Sequence, residues 1–168
     1  DLRENENDEV FSKELANLAD IYVNDAFAAS HREHASIVGV PRHLPGFFGI
    51  QFLEEVAGLA PALSPQSPSL CIIGGAKFET KAPLIHKFFE IYDTVFIGGA
   101  LSNDFFKAEG FSVGESLVSE TPPDLKGLLQ HSKLRLPVDV IAGSFEKTSV
   151  KKVNEVSDDD YIFDAGPE

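Results

Sequence analysis

Cationic residues are scarce in this chain. Lys and Arg number 14 against 27 Asp and Glu, a formal net charge of −13 over 168 residues. A surface of that sign repels nucleic acid and anionic membrane, because phosphate contacts need Lys or Arg. It does not exclude a small phosphate compound, which takes only a few local cations and oriented backbone N–H groups. Cysteine is almost absent: Cys71 stands alone, so no intrachain disulfide can form, and its apolar surroundings (SLCII) read as a small core residue. No apolar run approaches the ~18 residues of a membrane-crossing helix, and no signal-peptide pattern is visible, so the expected setting is a reducing, cytoplasmic one. A Walker A loop and a GxGxxG fingerprint are also missing.

Apolar material is plentiful. Hydrophobic residues make up 43% of the sequence, with fourteen phenylalanines, enough for a sizeable core. The length allows one domain, or one domain plus part of another. The chain opens at Asp1 in a charged stretch and closes at FDAGPE directly after an apolar run. Both ends read as cuts in a longer polypeptide.

The pattern along the chain changes once. Residues 9–20 (EVFSKELANLAD) space Phe11, Leu15 and Leu18 at helical intervals, IYVNDAF reads as a strand entering a loop, and FFGIQFLEEVAGLAPAL (47–63) reads as a second helix. SPQSPS (64–69) is the expected boundary between domains. Beyond it, SLCII is expected as a strand buried on both faces. TKAPLIHKFFEIY reads as a helix, TVFI as a strand and LSNDFFKAEG as a helix closed by Gly110. PPDLKGLLQHSKL (122–134) reads as a further helix, and VDVIA (138–142) and YIF (161–163) as further strands. Strand–helix alternation predicts an α/β fold with a parallel sheet and right-handed crossovers.

Chemistry gathers where apolar runs meet glycine. In CIIGGAKFETK a strand ends at Gly74-Gly75, where ligands bind in open α/β sheets. Lys77 and Lys81, four apart, would share one face of the next helix if its geometry reached back to Lys77, with Thr80 as a possible cap. Two cations beside the positive end of a helix dipole make poor electrostatics unless an anion joins them. The alternative is a tight turn with two solvated lysines. Gly98-Gly99-Ala100 repeats the arrangement after TVFI, either as a surface for a planar base or ribose or simply to let helix and sheet pack closely. Arg3, His31, Arg32, His34, Arg42 and His43 form the chief basic group, suited to phosphate or carboxylate or else to weak surface salt bridges.

Six stretches in one order carry a resemblance. LADIYVNDAFAASHREHAS is similar to LADIYVNDAFGTAHRAHAS of the phosphoglycerate kinases, and GGAKFETK to their GGAKVSDK. FIGGALSNDFF resembles their IIGGG and the aromatic-containing helix after it. GFSVGESL (110–117), LPVDV (136–140) and DAGPE also resemble that family. The implied fold is a Rossmann-like parallel sheet with helices on both faces, plus part of a second α/β domain. The implied organisation is a phosphoglycerate-binding part at 1–46, an interdomain helix and linker at 47–68, and a nucleotide-binding part at 69–168. The resemblance implies Lys81 and Arg3 as catalytic residues, and Arg3, Arg32 and His31 as the phosphoglycerate contacts. It also implies that Gly74, Gly75, Ala76, Lys77 and Lys81, with Gly98, Gly99 and Ala100, line the site for ATP or ADP with Mg2+. The implied reaction is phosphoryl exchange between 1,3-bisphosphoglycerate with ADP and 3-phosphoglycerate with ATP, by a protein that is monomeric at full length. Ala28 and Ala100 replace glycines of the pattern. Stretches similar to the family's RVDFN and GGGDT, the latter with its metal-binding aspartate, do not occur in this sequence. The expectation is therefore a chain that binds substrates weakly, does not turn over alone and could self-associate. A non-catalytic nucleotide- or phosphometabolite-binding piece is the alternative.

Overall fold

The computed structural model describes residues 2–76, 78, 81–120 and 124–168. The chain divides into two compact units, Asp1–Ser64 and Pro65–Glu168. None of the helices among the described residues is long and apolar enough to cross a membrane.

In the first unit, α1 (Leu2–Asn5) leads into α2 (Glu9–Ala16). Asp8 starts α2 by accepting the Phe11 N–H at 2.7 Å. The helix is shorter than its apolar spacing predicts. The chain must turn to enter β1 (Tyr22–Asn24), and beyond Ala16 the bonds tighten to the i→i+3 type. Leu18 thus lies outside the helix, 81% exposed. β1 pairs in parallel with β2 (Gly46–Phe48), Val23 opposite Phe47. Phe47 and Phe48 are therefore strand residues, and α3 runs Ile50–Leu63 rather than from Phe47. A partner distant in sequence decides that start: the Gly49 N–H donates to the Asn24 carbonyl at 2.8 Å and the Phe52 N–H to Asp25 Oδ1 at 2.8 Å. None of the α3 side chains is buried, although Leu53, Val56, Leu59 and Leu63 are apolar.

The second unit holds two sheets. β3 (Leu70–Ile73), β4 (Thr94–Ile97) and β5 (Leu134–Arg135) form a parallel sheet in that order. Helices α4 (Ala82–Ile91) and α5 (Ala100–Ala108) provide the crossovers from β3 to β4 and out of β4, and α6 spans Lys126–Leu129. Ile73, Val95, Ile97 and Leu134 meet Ile85, Phe89, Leu101 and Phe105 in one core, which the half-buried Cys71 flanks. β3 is not buried on both faces: Leu70 is 56% and Ile72 70% exposed. The strand is an edge, and the described residues cover only its Cys71 and Ile73 side. The stretch 122–134 is likewise a short helix and a short strand, not one long helix, and Pro122 and Pro123 lie outside the described residues.

The second sheet corrects the expectation of one parallel sheet. β6 (Asp139–Gly143) pairs antiparallel with both β7 (Thr148–Lys152) and β8 (Tyr161–Ala165). Only Ser144–Lys147 separates β6 from β7, far too little for a crossover, and a connection that short can make only a hairpin. The inward side of this sheet joins Phe106, Val113 and Val153 in a second core. Helix α5 serves both cores, Leu101 and Phe105 facing one and Phe106 the other.

Candidate functional site

Two glycine turns stand side by side at the carboxyl end of the parallel sheet. Ile73 and Ile97 are paired in register, so Gly74-Gly75 and Gly98-Gly99 leave the sheet level with each other, and the Gly98 N–H donates to the Ile73 carbonyl at 2.9 Å. A Cβ placed on Gly74 would stand 3.8 Å from the Gly98 oxygen, and one on Gly99 3.8 Å from the Gly75 nitrogen. Gly75 has φ +150° and Gly99 has φ +63° with ψ −160°, conformations that glycine alone adopts readily. The result is a small floor of bare backbone.

Charge and dipoles converge on that floor. The Lys81 side chain crosses it, its Cε only 3.4 Å from where a Gly75 Cβ would be. Both α4 and α5 begin here, at Ala82 and Ala100, and neither has a side-chain cap on its first turn. The Ala82 N–H donates to the Phe78 carbonyl at 2.9 Å and the Ser102 N–H to the Gly99 carbonyl at 3.0 Å, so it is the positive dipole ends of the two helices that join Lys81 at this sheet end, an arrangement that attracts an anion. Lys81 itself is the cap residue of α4. Lys77 and Thr80 lie outside the described residues. Ala76 and Ala100 each follow one of the two turns.

Sequence reasoning missed two features of this unit. One is an aromatic group: the Phe145 ring lies 4.8 Å from Tyr161 and 5.4 Å from Phe163. Phe145 is 78% exposed. Only the alternation of Tyr161 and Phe163 along β8 could have hinted at it, since Phe145 comes from the β6–β7 turn. The Tyr161 hydroxyl donates to Glu115, which pushes the phenol pKa up, helped by partial burial. The other is a clasp. Asn103 and Asp104 are buried in α5. The Asn103 side-chain amide donates to the Leu117 carbonyl at 3.0 Å, and Asp104 accepts from the Ser119 N–H at 2.9 Å and its hydroxyl at 2.7 Å. Ser116 Oγ accepts the Ile162 N–H at 2.8 Å. Gly114, at φ +56°, lies so close to β8 that a Cβ would come 2.1 Å from the Asp160 oxygen. The GFSVGESL stretch thus ties α5 to β8 and holds the helix whose first residues form the glycine floor.

In the first unit, Glu4 of α1 accepts the Ser36 N–H at 3.0 Å and the Ser36 hydroxyl, and lies 3.8 Å from His34. This ties the helix bearing Arg3 to the HREHAS segment. Arg3 pairs with Glu14 at 3.6 Å and lies 4.6 Å over the Phe11 ring. Arg42 and His43 both approach Glu9, at 3.9 and 3.1 Å. Each of these four basic residues thus lies beside an acid. His31 and Arg32 differ: both are exposed, and no carboxylate among the described residues pairs with either.

A parallel β–α–β arrangement with paired glycine turns at the carboxyl end of its strands and a lysine across them defines an α/β protein of the open-sheet kind. The whole sequence, residues 1–168, matches the family profile of phosphoglycerate kinase, and the chain belongs to that family. It is 43% identical to the phosphoglycerate kinase of Finegoldia magna over 174 aligned residues, covering 97% of this chain and 44% of that protein. Against the Moorella thermoacetica enzyme the identity is 42%, over 98% of this chain and 45% of the other. The solved phosphoglycerate kinase of Coxiella burnetii superposes with a TM-score of 0.80 at 36% identity, covering 98% of this chain and 45% of that one. That of Pyrococcus horikoshii gives 0.74 at 28% identity, over 92% and 42%. The chain spans less than half the length of these relatives.

Proposed function

We propose that this chain supplies the central part of a phosphoglycerate kinase, and that its glycine floor binds the nucleotide. The observation that carries the reading is the convergence of Gly74-Gly75, Gly98-Gly99, Lys81 and two uncapped helix N-termini at one sheet end. The glycine backbone lets a ribose or base approach closely. The helix starts and Lys81 neutralise phosphate charge, and Lys77 would add to that. The exposed aromatic group of Phe145, Tyr161 and Phe163 offers a stacking surface in the same unit. Residues 1–46 would contribute Arg3, His31 and Arg32 to phosphoglycerate, α3 would join the two binding parts, and residues from 69 onward would hold ATP or ADP. Phosphoryl transfer between 1,3-bisphosphoglycerate and ADP needs alignment and charge neutralisation more than covalent help from the protein, and Lys81 would be the cation that supplies it.

Among the described residues no group of three or more His, Cys, Asp and Glu is gathered as for a metal ion. The Mg2+ that the family resemblance implies would arrive with the nucleotide, where it would supply charge neutralisation on the phosphates. Its protein ligand would come from a stretch like the family's GGGDT, outside this sequence. The chain alone accordingly binds nucleotide without turnover, in a cytoplasmic setting. Thermal unfolding with MgADP tests the reading: the midpoint rises with ligand concentration by mass action, and Lys81→Gln weakens binding about tenfold. An unchanged midpoint at millimolar MgADP overturns the binding role, and ATP formation above background by this chain overturns the claim of no turnover.

A further inference from the structure

A cleft of about 500 Å³ opens at the opposite end of α5 from the glycine floor. Its floor is the seam between the two cores: Leu129 and Leu134 come from one, Phe106 and Val153 from the other, and Leu136 touches both. Val138 and Phe111 stand at its mouth, and Glu109, Arg135 and Lys152 bring charge to its rim. The nine residues of α5, at about 1.5 Å each, put the cleft roughly 13 Å from the glycine floor along the helix.

The Arg135 guanidinium is what gives the cleft a preference. Its Nη1 donates to the carbonyls of Ser132 and Leu134 at 2.8 and 2.7 Å, which fixes the planar head at the rim. No carboxylate among the described residues pairs with it, in a chain where acids outnumber bases nearly two to one. Lys152 adds a second cation, shared with the exposed Glu168. A fixed fork of donors above an apolar cleft of this size matches a carboxylate carried on an apolar body. We propose that the cleft is a second ligand site, for a small amphipathic carboxylate whose aromatic or branched-alkyl part lies on Leu136 and Val153 and whose anionic end meets Arg135. The cleft walls are too apolar for a polyphosphate, so this occupant is chemically distinct from a nucleotide.

The test is a titration of the methyl-labelled chain with 2-naphthoate, followed by NMR, with neutral 2-naphthamide as control. Naphthoate shifts the methyls of Leu129, Leu136, Val138 and Val153, with a dissociation constant near or below about 1 mM. The amide binds about tenfold more weakly, and Arg135→Gln lowers naphthoate affinity to that of the amide. Val138→Glu, at an exposed position, blocks the mouth without entering the core and abolishes the shifts. Shifts confined to the apolar residues of α3, equal binding of acid and amide, or an Arg135→Gln chain that binds naphthoate normally would each overturn the proposal. MgADP affinity is unaffected by either substitution, so this outcome is read separately from the nucleotide site.

Discussion

Gly99→Ala isolates the backbone conformation on which the glycine floor depends. At φ +63° and ψ −160°, Gly99 lies in a region essentially closed to residues with a Cβ, and an alanine held there costs on the order of 2 kcal/mol. Crowding does not contribute, because the nearest atom to the new Cβ is the Gly75 nitrogen at 3.8 Å, an ordinary contact. Gly74→Ala is the matched control. Its Cβ also meets its nearest neighbour at 3.8 Å, but Gly74 is not at positive φ. Both substitutions remove a glycine's freedom from the unfolded chain, a gain of about 0.4–1 kcal/mol that cancels between them. The difference between the two variants is therefore the strain itself, about 2 kcal/mol. With a urea slope of about 2 kcal/mol per molar, their midpoints separate by about 1 M, Gly99→Ala lying below the parent and Gly74→Ala at or slightly above it. Equilibrium unfolding followed by far-ultraviolet circular dichroism measures this directly. Coincident midpoints, or a Gly74→Ala variant as weak as Gly99→Ala, would refute the argument from backbone strain.

Phe105→Ala opens a void in the first core, where the ring is fully buried and meets Phe78 edge-on at 6.0 Å, and costs about 3–5 kcal/mol by urea unfolding. Asp25→Ala removes the acceptor for the Phe52 N–H and costs the first unit about 1 kcal/mol, read as a lower unfolding midpoint and reduced helical ellipticity. The Asp160 carboxyl is held below its usual pKa, chiefly by the Lys151 ammonium at 2.6 Å and then by the Ser157 N–H. Its folded value lies below the unfolded one near 3.9, so its contribution is complete above about pH 4 and lost as the pH falls through the folded value. Unfolding midpoints measured from pH 6 down to pH 2 fall more steeply for the parent than for Asp160→Asn, and parallel curves would contradict this.

The helix and strand sequence β3–α4–β4–α5 was legible because each segment carries its own instruction. LCII and TVFI are short apolar runs rich in β-branched residues, and the stretches after them repeat apolar residues at helical spacing. The glycine pairs could be found for a similar local reason: a backbone angle forbidden to other residues selects glycine wherever the chain must adopt it. Phe47 and Phe48 were misread because helix and strand both suit them, and the choice was made by Asn24 and Asp25, more than twenty residues away. β7 escaped notice because an exposed strand (TSVKK) buries almost nothing and so shows no apolar period. The antiparallel order of β6, β7 and β8, the aromatic group from Phe145 to Phe163 and the clasp of Asn103 and Asp104 on Leu117 and Ser119 are contacts between separate segments. By itself the sequence determined the β3–α4–β4–α5 alternation, where the backbone must be bare, and which family the chain resembles, because those depend on local torsion and local burial. Only the tertiary structure decided which strands pair, which face of β3 stays open and which cations find acids, because those energies exist only once distant segments meet.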